Sequence, residues 1–158
     1  MWEKTYEVLK EYAIELRNTL QDSYITDDRI ATGDLLNSVE YIIEKDDRQI
    51  EVSLQLKEWW KYVEDGRKPG KFPPPDAMLN YIKAKPILPK PDRNGKLPTP
   101  NQLAYLIGRK ISEVGTTGTH NVRDTVRLIN ERYEEKIGQA ISEDINNELD
   151  VIFSQSFK

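Results

Sequence analysis

His120 is the chain's one histidine, set in the run VGTTGTHN over residues 114–121. With one imidazole there is no HExxH zinc site, and no histidine to spare beside a Ser-His-Asp set. Between Gly118 and Asn121 it reads as a loop residue. The carboxylates offer little more. Asp27-Asp28 and Glu134-Glu135 are sequence neighbours on solvated stretches, and Asp46-Asp47 falls where a hairpin must turn, a place that favours Asp for backbone reasons. No nuclease-like cluster of acids with a following lysine is seen on a strand. The glycines of VGTTGTH precede a helix, as those of a phosphate loop do, but the lysine that should follow is missing. Gly115 as a helix stop and Gly118 as a turn residue is the plainer account. The absence of cysteine removes thiol nucleophiles, thiolate metal sites and disulfides. The expectation is a protein without catalytic residues, cofactor or metal.

The remaining chemistry is that of charge. Residues 57–110 carry 12 Lys/Arg against 5 Asp/Glu, while the rest of the chain carries 11 against 22, within a net charge of −4. A basic middle between acidic ends suits a solvated face, a grip on DNA, or the acidic part of a neighbouring copy. The basic region also holds Trp59, Trp60, Tyr62 and Phe72, a composition compatible with nucleic acid, yet it has no helix-turn-helix, zinc-finger or RNA-binding signature. No apolar run approaches a membrane span, and residues 1–20 read as an amphipathic helix rather than a signal peptide, so folding in a cytoplasm is expected. At 158 residues and 37% hydrophobic composition the chain suits one domain with a modest core.

The elements that position these residues follow from periodicity. Trp2, Tyr6, Leu9, Ala13, Leu16, Leu20 and Tyr24 form one narrow stripe, which predicts a helix from about 2 to 22. Thr32 can cap a short helix over Asp34 to Asn37. From Val39 the period becomes two. Val39, Tyr41 and Ile43 share a face, and after the Asp46-Asp47-Arg48 turn so do Ile50, Val52, Leu54 and Leu56, giving an antiparallel hairpin. Its apolar face needs a cover, for which the first helix is the nearest candidate.

Residues 58–66 read as a short helix or turn ended by Gly66. Pro73, Pro74 and Pro75 lead into a helix from about 76 to 84, with Met78, Leu79 and Ile82 inward. The stretch 85–100, KPILPKPDRNGKLPTP, holds five prolines and Asn94-Gly95. It reads as an extended arm that doubles back. Thr99, Pro100 and Gln102 make a capping box for a helix to Val114, with Leu103, Leu106, Ile107, Ile111 and Val114 as its apolar face. Asn121 can cap the last helix. Val122, Val126, Ile129, Tyr133, Ile137, Ile141, Ile145, Leu149 and Ile152 continue at helical spacing, as one long helix or as two that meet at Gly138. Such a stripe exceeds what a small core can cover.

The order of segments is informative. ATGDLLNSV at 31–39 precedes the hairpin; WWKYVEDGRKPGKFPPPDAMLNYI at 59–82 and LAYLIGRKISEVGTTGTHNVRDTV at 103–126 follow it. This arrangement resembles the tail-completion and neck proteins of tailed bacteriophages, the HK97 gp10-like minor tail family, over about residues 2–153. The resemblance implies an α+β fold, with a small antiparallel sheet packed by an N-terminal helix and a long C-terminal helix. It also implies a structural virion protein without enzymatic activity, assembled in the bacterial host. Such a protein forms a homo-oligomeric ring at the head–tail junction and contacts portal or connector and tail proteins. The Pro-rich arm and the extended last helix depart from the family pattern.

On the residues alone, the corner around Gly66, Pro69, Gly70 and Pro73–Pro75 is stiff, basic and exposed. The candidate partner-binding residues are Arg67, Lys68 and Lys71 on that corner, with Ile87, Leu88, Lys90, Arg93, Lys96 and Leu97 on the arm. The alternative is a DNA-binding accessory protein using the 57–110 region.

Overall fold

The computed structural model describes residues 2–27, 32–46, 48–85 and 87–156. Asp28, Asp47 and Pro86 lie outside the described residues. Among the described residues, six helices and two small antiparallel sheets follow in the order α1 (Glu3–Thr26), α2 (Asp34–Asn37), β1 (Glu40–Lys45), β2 (Ile50–Gln55), α3 (Trp60–Glu64), β3 (Gly66–Arg67), α4 (Pro75–Ala84), α5 (Pro100–Val114), β4 (Thr116–Thr117) and α6 (Asn121–Ser156). The fold is α+β, with the N-terminal helix packed along the long C-terminal one. The residues gather into two compact units. One comprises Met1–Thr26, Ser38–Leu56 and Asn121–Lys158, and the other Asp27–Asn37 and Lys57–His120.

In the first unit α1 and α6 run antiparallel. Ser23 accepts from Asn121 Nδ2 at 3.2 Å, Tyr12 OH donates to Asn130 Oδ1 at 2.7 Å, and Thr5 meets Asp144. The helix thus starts on Asn121 with its side-chain amide directed to α1. Leu16, Ile129 and Tyr133 are the centre of the core, with Val8, Tyr12, Val126, Ile137 and, from the hairpin, Leu54 around them. Tyr12 and Tyr133 meet edge to face at 5.6 Å, a geometry that places a positive ring edge on a negative face. Glu15–Arg132 and Glu11–Lys136 pairs flank the seam.

The hairpin covers α1 as its period demanded. Tyr41 pairs with Leu54 and Ile43 with Val52, so the expected apolar residues share one face. Arg17 lies over the Tyr41 ring at 5.6 Å and Lys45 over that of Tyr6 at 5.3 Å, tying the strands to the helix through cation–π contacts. Asp46 closes the turn by accepting from the backbone of Arg48 and Gln49 at 2.6 and 2.8 Å. Those two bonds hold its carboxyl below the usual value.

One expectation needs correction, and one open choice is decided. The first helix continues to Thr26 instead of stopping near 22, because Tyr24 still belongs to its buried face. The last helix is one unbroken element of 36 residues, about 54 Å at 1.5 Å per residue. Its seam does not follow the apolar stripe to the end. Ile129, Tyr133, Ala140 and Asp144 are buried, whereas Ile145, Leu149 and Ile152 are exposed. The reason is length: α1 begins opposite Asp144, and the last 12 residues of α6, about 18 Å, run past its start.

In the second unit α4 packs on α5. Pro75 occupies the first turn of α4, where its missing N–H costs nothing. The capping box at α5 is complete. Gln102 N donates to Thr99 Oγ1 at 3.3 Å, and Thr99 N to Gln102 Oε1 at 2.9 Å. Leu103, Ile107 and Ile111 are half-buried as expected, but Leu106 and Val114 are exposed.

Candidate functional site

The corner after α3 is built by close backbone approach. Gly66 has φ +75° and Gly115 φ +74°, values that glycine adopts without a Cβ penalty. Between them β3 pairs with β4, Gly66 opposite Thr117 and Arg67 opposite Thr116. A Cβ on Gly66 would lie 2.1 Å from the Thr116 carbonyl oxygen, and one on Gly115 would lie 2.1 Å from that of Arg67. A third on Gly118 would lie 2.2 Å from that of Glu64. Hydrogen bonds extend the clamp. Thr119 N donates to Val63 O at 2.9 Å, His120 N to Glu64 O at 3.1 Å and Gly70 N to Ser112 O at 2.7 Å. The run VGTTGTH is therefore a receptor for the corner's backbone, and His120, at φ +59°, is one of its loop residues.

Beyond the clamp the chain lays Phe72 across α5. A Cβ on Gly108 would fall 2.5 Å from the Phe72 ring, which stacks on Tyr105 with centroids 5.8 Å apart. Pro73 next to it is fully buried. A glycine inside an otherwise apolar helical stretch was the signal for this approach.

The nine expected partner-binding residues separate into two groups. On the corner, Arg67 is half-buried with its guanidinium 4.8 Å over the Tyr62 ring. Lys68 and Lys71 are exposed. Arg67 is thus held by the clamp, and the two lysines carry the corner's outward charge. On the arm, Asp92 organises the turn, its Oδ1 accepting from Asn94 N at 2.8 Å and Lys96 N at 2.9 Å. Gly95 takes φ +76°. The arm doubles back as expected, without forming strands among its described residues. Leu88 is 90% exposed and Leu97 56%; Ile87 is half-buried and Arg93 exposed.

Lys90, Lys96 and Leu97 come together. They line a groove of about 710 Å³ whose other wall is the start of α5, with Gln102, Tyr105 and Leu106. Tyr105 is 59% exposed and Leu106 also open. Leu106 belongs to the apolar face expected for α5, yet it stands open beside Tyr105, because the helical period alone does not say which edge of a wide apolar face stays outside.

Chemically the unit offers apolar surface bordered by ammonium groups. Among the described residues, no group of three or more His, Cys, Asp or Glu could hold a metal ion, and no helix is long and apolar enough to cross a membrane. No protein-family model, no curated protein and no solved structure matches the chain.

Proposed function

We propose that this chain is a structural subunit of the head–tail junction of a tailed bacteriophage, one of several identical copies that close a ring between connector and tail. The observation that carries the reading is the glycine clamp. The stretches 62–72 and 114–119, two of those on which the resemblance to neck and tail-completion proteins rests, interlock through Gly66, Gly115 and Gly118. A corner ordered before binding loses little conformational freedom on contact. Lys68 and Lys71 stand exposed on it, suited to an acidic neighbour. In this reading the protein is not an enzyme and takes no cofactor. Its contacts are with its own copies and with portal and tail proteins, and any contact with genomic DNA is non-specific.

The test is a reconstruction of the particle, combined with Lys68→Glu and Lys71→Glu. Several copies in a ring at the neck or tail are expected. The charge reversals should weaken incorporation without lowering the melting temperature, because exposed charges contribute little to folding. One copy per virion, or a position outside neck and tail, overturns the proposal. Salt-dependent retention of the purified chain on DNA, without incorporation, favours a DNA-binding accessory protein instead.

A further inference from the structure

The overhang of α6 and the groove beside α5 have complementary chemistry. Past Asp144, Ile145, Leu149 and Phe153 are exposed at spacings of four, so they form one slowly turning apolar stripe. Glu148 and Asp150 lie on its two sides, and no Lys or Arg falls between residues 145 and 156. The groove has the opposite character. Its apolar lining is Leu97, Tyr105 and Leu106; its charged lining is Lys90 and Lys96 against one carboxylate, Asp92, which accepts from the backbone of Asn94 and Lys96, so the groove is net basic. An amphipathic helix laid in an apolar groove, with charges matched at the edge, is a recurrent recognition mode.

We propose that the last turns of α6 in one copy seat in the arm–α5 groove of a second copy of this chain. The inference rests on the ring reading and adds the contact that joins neighbours. The two surfaces differ, so the contact is head-to-tail, and repetition of such a contact closes a ring or extends a filament. A few turns of helix bury less than a stable pairwise interface needs. The contact is therefore weak between two free copies and gains strength when a template holds neighbours at high effective concentration. The arm takes part through Asp92, which holds the turn that sets Lys96 and Leu97 on the groove wall.

The native chain has no cysteine, so engineered thiols report the contact without background. One full-length population carries Leu149→Cys and the other, distinguished by a tag, carries Leu106→Cys. Both sites are exposed, so neither change disturbs the core. Under mild oxidation the mixed disulfide should form roughly tenfold faster than that between Leu149→Cys and a control thiol at Arg48→Cys on the hairpin turn, because docking raises the thiols' effective concentration. Adding Lys90→Glu and Lys96→Glu to the groove copy should abolish the advantage, and Glu148→Lys with Asp150→Lys on the helix copy should restore it. Equal rates for the groove and control pairs overturn the proposal, as does a groove rate indifferent to charge reversal. The readout uses purified protein alone. A contact that forms in a protein found outside the neck leaves the docking intact and removes the virion role. A ring of chains that fail to cross-link does the reverse.

Discussion

Thr5 and Asp144, 139 positions apart in the chain, meet through two hydrogen bonds. Thr5 N donates to Asp144 Oδ2 at 2.8 Å and Thr5 Oγ1 to the same oxygen at 2.7 Å, while Lys4 N reaches Oδ1 at 3.1 Å. A helix leaves its first N–H groups without intrahelical acceptors. Here the acceptor for α1 comes from α6 rather than from a residue just before the helix. Asp144 is 7% exposed. Burial by itself pushes its carboxyl up, but the bonds from Thr5 and Lys4 outweigh that and hold it below the usual carboxylate range.

Asp144→Ala should therefore lower stability by about 2 kcal/mol at neutral pH, the loss of a good N-cap made larger by burial. The folded carboxyl titrates below its unfolded value, so its contribution is complete above the ordinary carboxylate pKa and is lost as pH falls through the folded one. Thermal melts of parent and variant should converge in acid. A gap that stays constant with pH would mean that the charge is not what caps α1.

Gly66→Ala and Gly115→Ala should each cost about 3 kcal/mol, since a Cβ meets a carbonyl oxygen at 2.1 Å on a backbone already at positive φ. Gly95→Ala has the same sign of φ but nothing within 4 Å, and should cost about 1 kcal/mol. Gly138→Ala, in open space within α6, should stabilise by about 0.5–1 kcal/mol. Denaturant midpoints rank the four, and Gly66→Ala melting like Gly95→Ala would refute the clamp.

Leu54→Asp should destabilise by roughly 3 kcal/mol, because an unpaired carboxylate enters the packing around Leu16 and Ile129. Val52→Asp, on the same face opposite Ile43, should fail in the same direction. Unchanged melting of both variants would mean that this face is not held against α1.

Limited trypsin digestion should cut first after Arg93 or Lys96, since Pro91 blocks cleavage after Lys90. These are exposed on a segment with no helix or strand pairing among its described residues. Circular dichroism of the nicked protein should keep the helical signal of the parent. Protection of both sites in the purified chain would point to a packed loop.

Local physics made much of this protein legible from sequence. The period-two residues from Tyr41 to Leu54 set the hairpin's faces, Thr99 and Gln102 marked the start of α5, and Pro75 and Gly115 marked where α4 begins and α5 ends. Each signal lies within a few residues of what it controls. The basic corner and arm were visible as composition, and Asn94-Gly95 as a turn. The tertiary structure alone decided what those segments meet. Two-residue strands such as Gly66–Arg67 and Thr116–Thr117 have no period to read, so their pairing appears only when the chain folds back. Asp144 looks like any surface carboxylate until α1 starts against it. The stripe from Val122 to Ile152 announces a helix, but how much of it is covered depends on where another helix begins. That distance is a property of the packing, and it leaves Ile145, Leu149 and Phe153 exposed.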